Sequence, residues 1–409
     1  MRTLNRPHYA WLVCLGGALS LSTVMGLGAN VFSIYQPEIL SFHQFTNAQG
    51  SWITTTRSLF ILLALMTVNQ LCERLSLRVV MTLGNLLMGL SCFSFALADT
   101  FPMYLFSAAL LGVGYCYGGM VPLSVLISRW FQSRRSLALG LSSAGSGIST
   151  VFAPTIITGL IQTYGLHTAF ALEGVFVLVC TGLIWLLLRS RPEDMGLEPY
   201  RTSAPDTTKV PAPVPEVRSD HPRAQRLILF AALLIGGPVG PCFSHLAVYY
   251  TSEGFDSTLV ALLISMMGLA ICLGKILCGQ VYDRLGGRTG NRFVFGTYLL
   301  GLVLCCLAPS QSIVAATAAL ILFSVGLSIT AVSPAVWAQD LSLEENYAKL
   351  VRSFTMAYTA GMLLFGPIPG MIADRTGSYL PAYLLFTGFL LVAYLIVQGV
   401  YYRLGLGRR

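Results

Sequence analysis

Long apolar stretches recur along the whole chain, separated by short polar segments. A membrane-spanning helix needs about 20 mostly apolar residues, and the stretches reach that length without interruption. A membrane-spanning β-barrel would instead show segments of about ten residues with alternating apolar and polar positions. The pattern therefore predicts twelve helices, with spans 9–35, 52–71, 78–98, 102–128, 136–161, 167–189, 225–250, 258–282, 291–309, 313–337, 352–373 and 379–402.

The first stretch could in principle be a secretory signal peptide. It is longer than a signal-peptide core, and no small-residue cleavage site follows it. We therefore expect it to remain as the first helix.

The composition supports a chain that is embedded in lipid. Of the 409 residues, 55% are hydrophobic and only 10% are charged, and the mean hydropathy is +0.71. A water-soluble domain of this size could not bury so many apolar residues. We expect an all-α membrane protein whose main partner is the lipid bilayer.

The positions of the basic residues predict the orientation of the chain. The net charge of +8 arises from 25 Lys and Arg against 17 Asp and Glu. Every basic residue except Arg57, Lys275 and Arg375 lies in a terminal segment or in every second segment between helices, as expected of the cytoplasmic side. Both termini are thus predicted to be cytoplasmic, in the cell membrane, and the charge does not indicate nucleic-acid binding.

Residues 190–223 interrupt the apolar pattern. The segment contains seven prolines and many charged residues, a composition that does not bury enough apolar surface to fold. We interpret it as a cytoplasmic linker. It separates an N-terminal bundle of six helices, residues 1–189, from a C-terminal bundle, residues 224–409.

Two similar polar segments follow predicted helices 2 and 8, which indicates a parallel repeat. The later one reads Gly279-Gln-Val-Tyr-Asp283-Arg284-Leu-Gly286-Gly-Arg288, and the earlier one reads Asn69-Gln-Leu-Cys-Glu73-Arg74-Leu-Ser76-Leu-Arg78. A glycine in such a segment allows close helix approach, a carboxylate can meet a helix N-terminus or an arginine, and basic residues hold the loop at the cytoplasmic face. A simple basic anchor with a turn is the alternative.

The later segment resembles the signature of the major facilitator superfamily at every fixed position. Further passages resemble the monocarboxylate-transporter and oxalate/formate-antiporter branch of that superfamily: Trp130-Phe131-x-x-Arg134-Arg135-x-x-Ala138-x-Gly140, Arg191-Pro-Glu-Asp-Met-Gly-Leu197 and His245-Leu-x-x-Tyr249-x-x-x-x-Gly254. The resemblance implies two pseudo-symmetric six-helix bundles in a monomer that works by alternating access. It implies a gating role for Gly279, Asp283, Arg284, Gly286 and Arg288, and for the altered first copy at Glu73, Arg74 and Arg78.

Two basic residues lie inside predicted helices, where a charge usually faces a cavity or a partner. Lys275 lies eight residues before Asp283, about 12 Å along the helix, too far for a simple ion pair. In the resembled branch this position binds the substrate carboxylate, which implies the same role for Lys275. Arg57 follows Thr54, Thr55 and Thr56 in the most polar patch of any predicted helix, which suits a water-lined cavity. Snorkelling of either side chain to the interface is the alternative, and for Arg57 structural pairing is a further one.

Other polar residues are candidate substrate contacts. His245 could donate a hydrogen bond to a carboxylate or carry a proton. A merely interfacial position is the alternative for His245, and ordinary packing is the alternative for the remaining candidates, Tyr115, Tyr117, Asn30 and Tyr358. The oxalate/formate transporters have a second cation in helix 11, where this chain has Gly361, so the resemblance favours a monocarboxylate unless Arg57 replaces that cation.

No pattern indicates an enzyme. Gly274-Lys275 does not form a phosphate-binding loop, because Leu269 occupies the required glycine position and Ile276 follows the lysine. We found no paired carboxylates, nucleophile triad or cysteine spacing typical of a metal site, and we expect neither cofactor nor metal. The predicted function is secondary active transport of a small organic anion, with protons or a counter-anion as possible coupling partners. A dicarboxylate antiporter, a carrier of another organic solute and a non-transporting membrane sensor are the alternatives.

Overall fold

A computed structural model describes residues 8–132, 135–201, 221–341 and 346–406 of the chain. Within them the chain forms helices joined by short loops, apart from an isolated bridge between Phe131 and Tyr200. We label the helices α1 (Ala10–His43), α2 (Asn47–Arg74), α3 (Leu77–Ala96), α4 (Phe101–Trp130), α5 (Arg135–Tyr164), α6 (Leu166–Leu187), α7 (222–252), α8 (257–285), α9 (287–305), α10 (Ile313–Leu341), α11 (347–376) and α12 (Leu380–Arg403).

All twelve predicted helices are present, although α8 and α9 form one nearly continuous run, Ser257–Cys305. The run is interrupted at Gly286, whose φ of 78° and ψ of 169° are not helical. Eleven helices of the described chain are long and apolar enough to cross a membrane, and α9 is not among them. The start of α9 carries Arg288, Asn291 and Arg292, which lower its mean hydropathy.

The chain divides by its internal contacts into two compact units. Unit 1 contains Met1–Val31, Leu59–Ser149 and Thr163–Val214, and unit 2 contains Phe32–Ser58, Thr150–Gln162 and Pro215–Arg409. These units do not coincide with the predicted bundles 1–189 and 224–409, because the later parts of α1 and α5 and the first part of α2 group with α7–α12. The two bundles as separate domains stay a prediction.

Helices at corresponding positions of the two halves are irregular in similar ways. α1 contains a π-helical stretch, Ser22–Val31, and α7 contains another, Pro238–Cys242. α4 is interrupted after Tyr117 and α10 after Gly326. Interruptions of this kind are common in transporters, where broken helices expose backbone groups to a substrate pathway.

Each half also contains a similar close contact between two of its own helices. In unit 1, a Cβ added to Gly145 of α5 would lie 2.0 Å from the carbonyl oxygen of Ala18 in α1. In unit 2, a Cβ added to Gly361 of α11 would lie 2.0 Å from the carbonyl oxygen of Leu233 in α7. Backbone contacts this close need a residue without a side chain, as is common between membrane helices. The matching contacts support the predicted parallel repeat of six helices.

The predicted linker is partly structured. Glu193–Met195 form a short 3-10 helix, and the Tyr200 N–H donates to the carbonyl oxygen of Trp130 at 2.8 Å. The Tyr200 ring also packs edge-on against Trp11 in unit 1. The expectation that the whole of 190–223 does not fold was therefore wrong for residues 190–201, because Tyr200 packs against unit 1 and Glu193–Met195 form a short helix. Residues 202–220 lie outside the described part of the chain.

Candidate binding site

Arg57 lies in the first half of α2, within unit 2, and it is buried. One of its terminal nitrogens donates to the hydroxyl of Ser244 in α7 at 3.3 Å. Its guanidinium carbon lies 5.6 Å from the centre of the Phe32 ring, a distance typical of a cation–π contact. The guanidinium thus contacts other helices of unit 2, and its role in a substrate cavity stays a prediction.

His245 is fully buried beside Ser244, and its two hydrogen bonds define its proton arrangement. Nδ1 lies 2.9 Å from the carbonyl oxygen of Pro241, which can only accept, so Nδ1 carries the proton. Nε2 lies 2.7 Å from the hydroxyl of Ser51 in α2. The Ser51 oxygen also accepts from the N–H of Gly370 at 3.0 Å. Both ring nitrogens of His245 are thus engaged within unit 2, and its role in binding or proton transfer stays a prediction.

A small cavity lies in unit 2 next to Arg57. It is lined by hydroxyl groups of Thr54, Thr55 and Ser58 of α2, by Pro241 and Ser244 of α7 and by Met362 of α11. Most of its polar lining residues belong to the polar patch of α2 that the sequence analysis identified around Arg57. Arg57 and His245 each precede or follow a lining residue in the sequence, Ser58 and Ser244 respectively, but neither is among the described residues that line the pocket.

Lys275 lies on α8 and is only partly exposed. Among the residues that the structure describes, none accepts a hydrogen bond from its ammonium group or forms an ion pair with it. The adjacent Gly274 packs closely against Val325 of α10, where an added Cβ would lie 2.8 Å from the Val325 Cα. The lysine is therefore held on a packed helix that spans the membrane, with its charge uncompensated within the described chain.

Tyr358 of α11 faces a second small cavity of unit 2. The same cavity is lined by Ile235 of α7 and by Thr330, Pro334 and Trp337 of α10. Among the described residues, this cavity shares no lining residue with the pocket next to Arg57. Gly361, one turn further along α11, cannot carry the second cation of the oxalate/formate transporters, because α7 occupies the space that a side chain would need.

The other candidate contacts lie in unit 1. Asn30 belongs to the π-helical stretch of α1, and Tyr115 and Tyr117 end the first part of α4; all three are partly buried. The hydroxyl of Tyr117 lies 2.9 Å from the hydroxyl of Thr67 in α2. Their role in binding stays a prediction.

Sequence reasoning missed a buried polar cluster at the interruption of α4. Asn85 of α3 is fully buried and donates to the Ser20 hydroxyl at 2.7 Å, while its side-chain oxygen accepts from Thr23. Ser20 donates to the carbonyl oxygen of Gly118 at 2.7 Å. The cluster ties the backbone of the α4 interruption to α1 and α3. A lone asparagine in an apolar helix was the only sequence signal for it.

The residues of the later signature segment surround the junction of α8 and α9. Arg284 is exposed, and the Arg288 guanidinium lies 4.8 Å from the centre of the Tyr402 ring of α12. Gly279 makes no close approach, since nothing lies within 4 Å of an added Cβ. The expected reason for this glycine is therefore not seen in this conformation. The side chain of Asp283 is outside the described part of the structure.

The earlier copy of the segment behaves differently. Glu73 and Arg74 are exposed, and Ser76 begins α3 by accepting from the N–H of Val79 at 3.4 Å. Arg78 stacks on the Trp185 ring at 3.8 Å and donates to the Trp185 carbonyl oxygen at 2.8 Å. Arg78 thus fastens α3 to the end of α6.

No clear sequence signal marked Ser51, which bonds to His245, or Ser244, which bonds to Arg57. Each is a serine next to a bulkier residue that drew attention, Trp52 or His245. Small hydroxyl residues are common in membrane helices as packing groups, so neither stands out without the structure.

Comparison with known proteins agrees with this architecture. The model of the Major Facilitator Superfamily matches residues 18–366. The chain is 25% identical over 391 residues to monocarboxylate transporter 13 of Rattus norvegicus, covering 94% of this chain and 87% of that protein. It is 24% identical over 422 residues to monocarboxylate transporter 6 of Homo sapiens, covering 97% and 81% respectively.

Among solved structures, the nucleoside transporter NupG superimposes with a TM-score of 0.75 at 11% identity, over 97% of this chain and 99% of that one. Identity this low shows a common fold and nothing finer. The family match spans most of the chain, in agreement with the twelve helices and with the signature at Gly279–Arg288. The chain therefore belongs to the Major Facilitator Superfamily and is a multi-pass membrane transporter, not an enzyme.

Proposed function

We propose that the chain is a secondary active transporter that moves a small monocarboxylate across the cell membrane by alternating access, with Lys275 binding the carboxylate. The single observation that carries this proposal is the uncompensated charge of Lys275 on a membrane-spanning helix. A cation in such a place is costly unless a ligand or partner neutralises it. A carboxylate substrate would supply that partner.

The structure also favours one carboxylate over two. Both α2 and α8 start after loops on the same side of the predicted topology. At a helical rise of 1.5 Å per residue, the Cα atom of Arg57 lies about 15 Å from the start of α2, and the Cα atom of Lys275 lies about 27 Å from the start of α8. The two cations thus differ by about 12 Å in depth. A short dicarboxylate is too small to bridge that distance.

The printed names of the curated relatives agree with the proposal, since those proteins are monocarboxylate transporters. The interruptions of α1, α4, α7 and α10 agree with transport, since broken helices of transporters expose backbone groups to the substrate. In the same account the protein works as a monomer, with both termini in the cytoplasm and the segment Gly279–Arg288 controlling one end of the pathway. Protons or a counter-anion accompany the substrate.

A binding measurement tests the charge-based recognition directly. Purified protein is titrated with propionate and with propionamide, which has nearly the same size but no charge, and the unfolding temperature is followed. A ligand that binds the folded state raises this temperature. At a ligand concentration a hundredfold above Kd, it stabilises the folded state by about 2.7 kcal/mol. We expect stabilisation by the carboxylate alone. Equal stabilisation by the amide would contradict a site built around a cation.

A further inference from the structure

A second copy of the signature spacing lies at the end of α11. The intact signature at the end of α8 runs Gly279-x-x-x-Asp283-Arg284-x-Gly286, and this second copy of its spacing runs Gly370-x-x-x-Asp374-Arg375-x-Gly377. The final glycine has a positive φ in both, 78° at Gly286 and 75° at Gly377, while ψ differs, 169° and 2° respectively. α8 and α11 have opposite directions in the predicted topology, so the second copy lies at the opposite ends of the helices. We call the helix ends on this side of the membrane the distal ends, because the chain termini are predicted to lie on the other side.

Asp374 binds the start of α2 through its carboxylate. Oδ1 accepts from the N–H of Asn47 at 2.9 Å and Oδ2 accepts from the N–H of Ala48 at 2.8 Å. These are two of the first N–H groups of the helix Asn47–Arg74, which have no partner inside the helix. The positive end of the helix dipole adds to the attraction for a carboxylate. Asp374 therefore caps a helix that lies 327 residues away in the sequence.

Three further contacts fasten the same helix ends in unit 2. The Tyr379 hydroxyl donates to Oδ1 of Asn47 at 2.8 Å. The Gly370 N–H donates to Ser51, whose hydroxyl is bonded to His245 of α7. A Cβ on Gly370 would lie 2.1 Å from the Asn47 carbonyl oxygen, so the glycine is what allows α11 to approach α2 this closely.

The distal end of α5 carries a weaker version of this arrangement. Gln162 takes the place of the aspartate, three residues before the left-handed Gly165, as Asp374 lies three residues before Gly377. Its Nε2 lies 3.3 Å from the Thr258 hydroxyl at the start of α8. The N–H groups there are capped by Asp256, which directly precedes α8, at 2.9 Å and 3.2 Å. In contrast to α8, α2 obtains its capping carboxylate from another helix.

We infer that Asp374 and Gly370 of the second signature copy, the following Tyr379, and Asn47 and Ser51 of α2 form a distal latch that holds the distal end of the transport pathway closed. The inference rests on the proposed alternating access, in which α2 and α11 belong to halves that move apart. Opening the distal side then requires the Asp374 carboxylate to leave the α2 N-terminus. It also frees Nε2 of His245 from Ser51.

Thiol accessibility tests the latch without any substrate. Thr54 of α2 is buried in unit 2, so a Thr54→Cys variant in detergent should react slowly with a charged, water-soluble thiol reagent while the latch is closed. Labelling of the protein without Thr54→Cys is subtracted to remove the native cysteines. Adding Asp374→Ala should raise the rate about fivefold. This corresponds to about 1 kcal/mol, the usual effect of removing a helix N-cap, at 1.4 kcal/mol per tenfold.

Asp256→Ala is the matched control, since it removes a carboxylate cap from α8 that does not link α2 to α11. It should lower the unfolding temperature without changing the Thr54→Cys rate. Asp374→Asn should have an intermediate rate, because it keeps an acceptor oxygen and loses the charge. If Asp374→Ala leaves the rate unchanged, or raises it no more than Asp256→Ala does, the latch is refuted. Absence of carboxylate binding would refute the proposed substrate and leave this result unaffected.

Discussion

Lys275 and Arg57, the two cations inside the membrane helices, have different surroundings. Arg57 is buried with its guanidinium against Ser244 and the Phe32 ring. Lys275 is partly exposed on α8 and has no hydrogen-bonding or ion-pair partner among the described residues. A cation that is already held by hydroxyl and aromatic groups is prepared for a structural or positioning role, whereas one without a partner is available for an anion. This difference is the reason for proposing that Lys275, and not Arg57, binds the carboxylate.

We predict that Lys275→Gln weakens propionate binding by about thirtyfold or more. Truncating one partner of a buried charge pair costs about 2–5 kcal/mol, and each tenfold in Kd is about 1.4 kcal/mol. Lys275→Arg should keep part of the affinity, because the charge remains while its geometry changes. The measurement is the propionate dependence of the unfolding temperature.

Lys349→Gln provides the control for this substitution, since Lys349 is exposed at the start of α11. It should bind propionate as the native protein does. Without ligand, Lys275→Gln should be at least as stable as the native protein, because it removes an uncompensated charge from a membrane helix. Native-like affinity in a well-folded Lys275→Gln would show that the lysine merely snorkels.

The sequence alone identified the individual polar residues inside the helices but not their hydrogen-bonding partners. Arg57 and His245 stood out as rare polar residues in apolar helices. Their hydrogen bonds with Ser244 and Ser51 depend on contacts between α2 and α7, which are far apart in the sequence. The proton arrangement of His245 followed only from the Pro241 carbonyl oxygen beside Nδ1.

The helices are longer and less regular than the apolar pattern indicated. The first predicted span, 9–35, continues to His43 as a helix, and Pro37 lies inside it. The apolar run ends there because Gln36 and Glu38 are polar, yet buried Gln36 stays within the helix. Helix existence could be predicted since about 20 apolar residues have few alternatives in lipid. The π-helical stretches and interruptions could not, because they depend on contacts with neighbouring helices.

The close contact of α7 and α11 at Gly361 gives a prediction for an element pair. Gly361→Ala should lower the unfolding temperature, because its Cβ would clash with the Leu233 carbonyl oxygen and overpacking typically costs 1–3 kcal/mol. Gly388→Ala in α12 is the control, since nothing lies within 4 Å of the added Cβ. An equal effect of both substitutions would contradict the packing described for α7 and α11.

The whole molecule repeats a six-helix pattern, and one end of that pattern is predicted to be cytoplasmic. The matching irregularities of α1 with α7 and of α4 with α10 support the repeat. The sequence predicted this organisation from one signature and its altered copy. It did not predict the division into contact units, because the grouping of helix ends depends on which conformation the transporter has adopted.

The orientation can be tested by fusing a reporter that is active only outside the cytoplasm. Fused after Arg409, the reporter should be silent, because 22 of the 25 basic residues lie in segments that this orientation places in the cytoplasm. Fused in the loop 377–379, it should be active. Activity at the C-terminal fusion would invert the assignment of both faces.

The most direct test of the account is uptake by the purified protein in proteoliposomes. Labelled propionate, a labelled short dicarboxylate and a labelled nucleoside are compared, each with an imposed pH gradient and each with unlabelled anion inside, so that symport and exchange are both detected. We predict propionate uptake above that of protein-free vesicles, competition by other monocarboxylates but not by propionamide, and loss of uptake in Lys275→Gln but not in Lys349→Gln. Transport of the dicarboxylate or the nucleoside without propionate uptake, or uptake that Lys275→Gln leaves intact, would contradict the account.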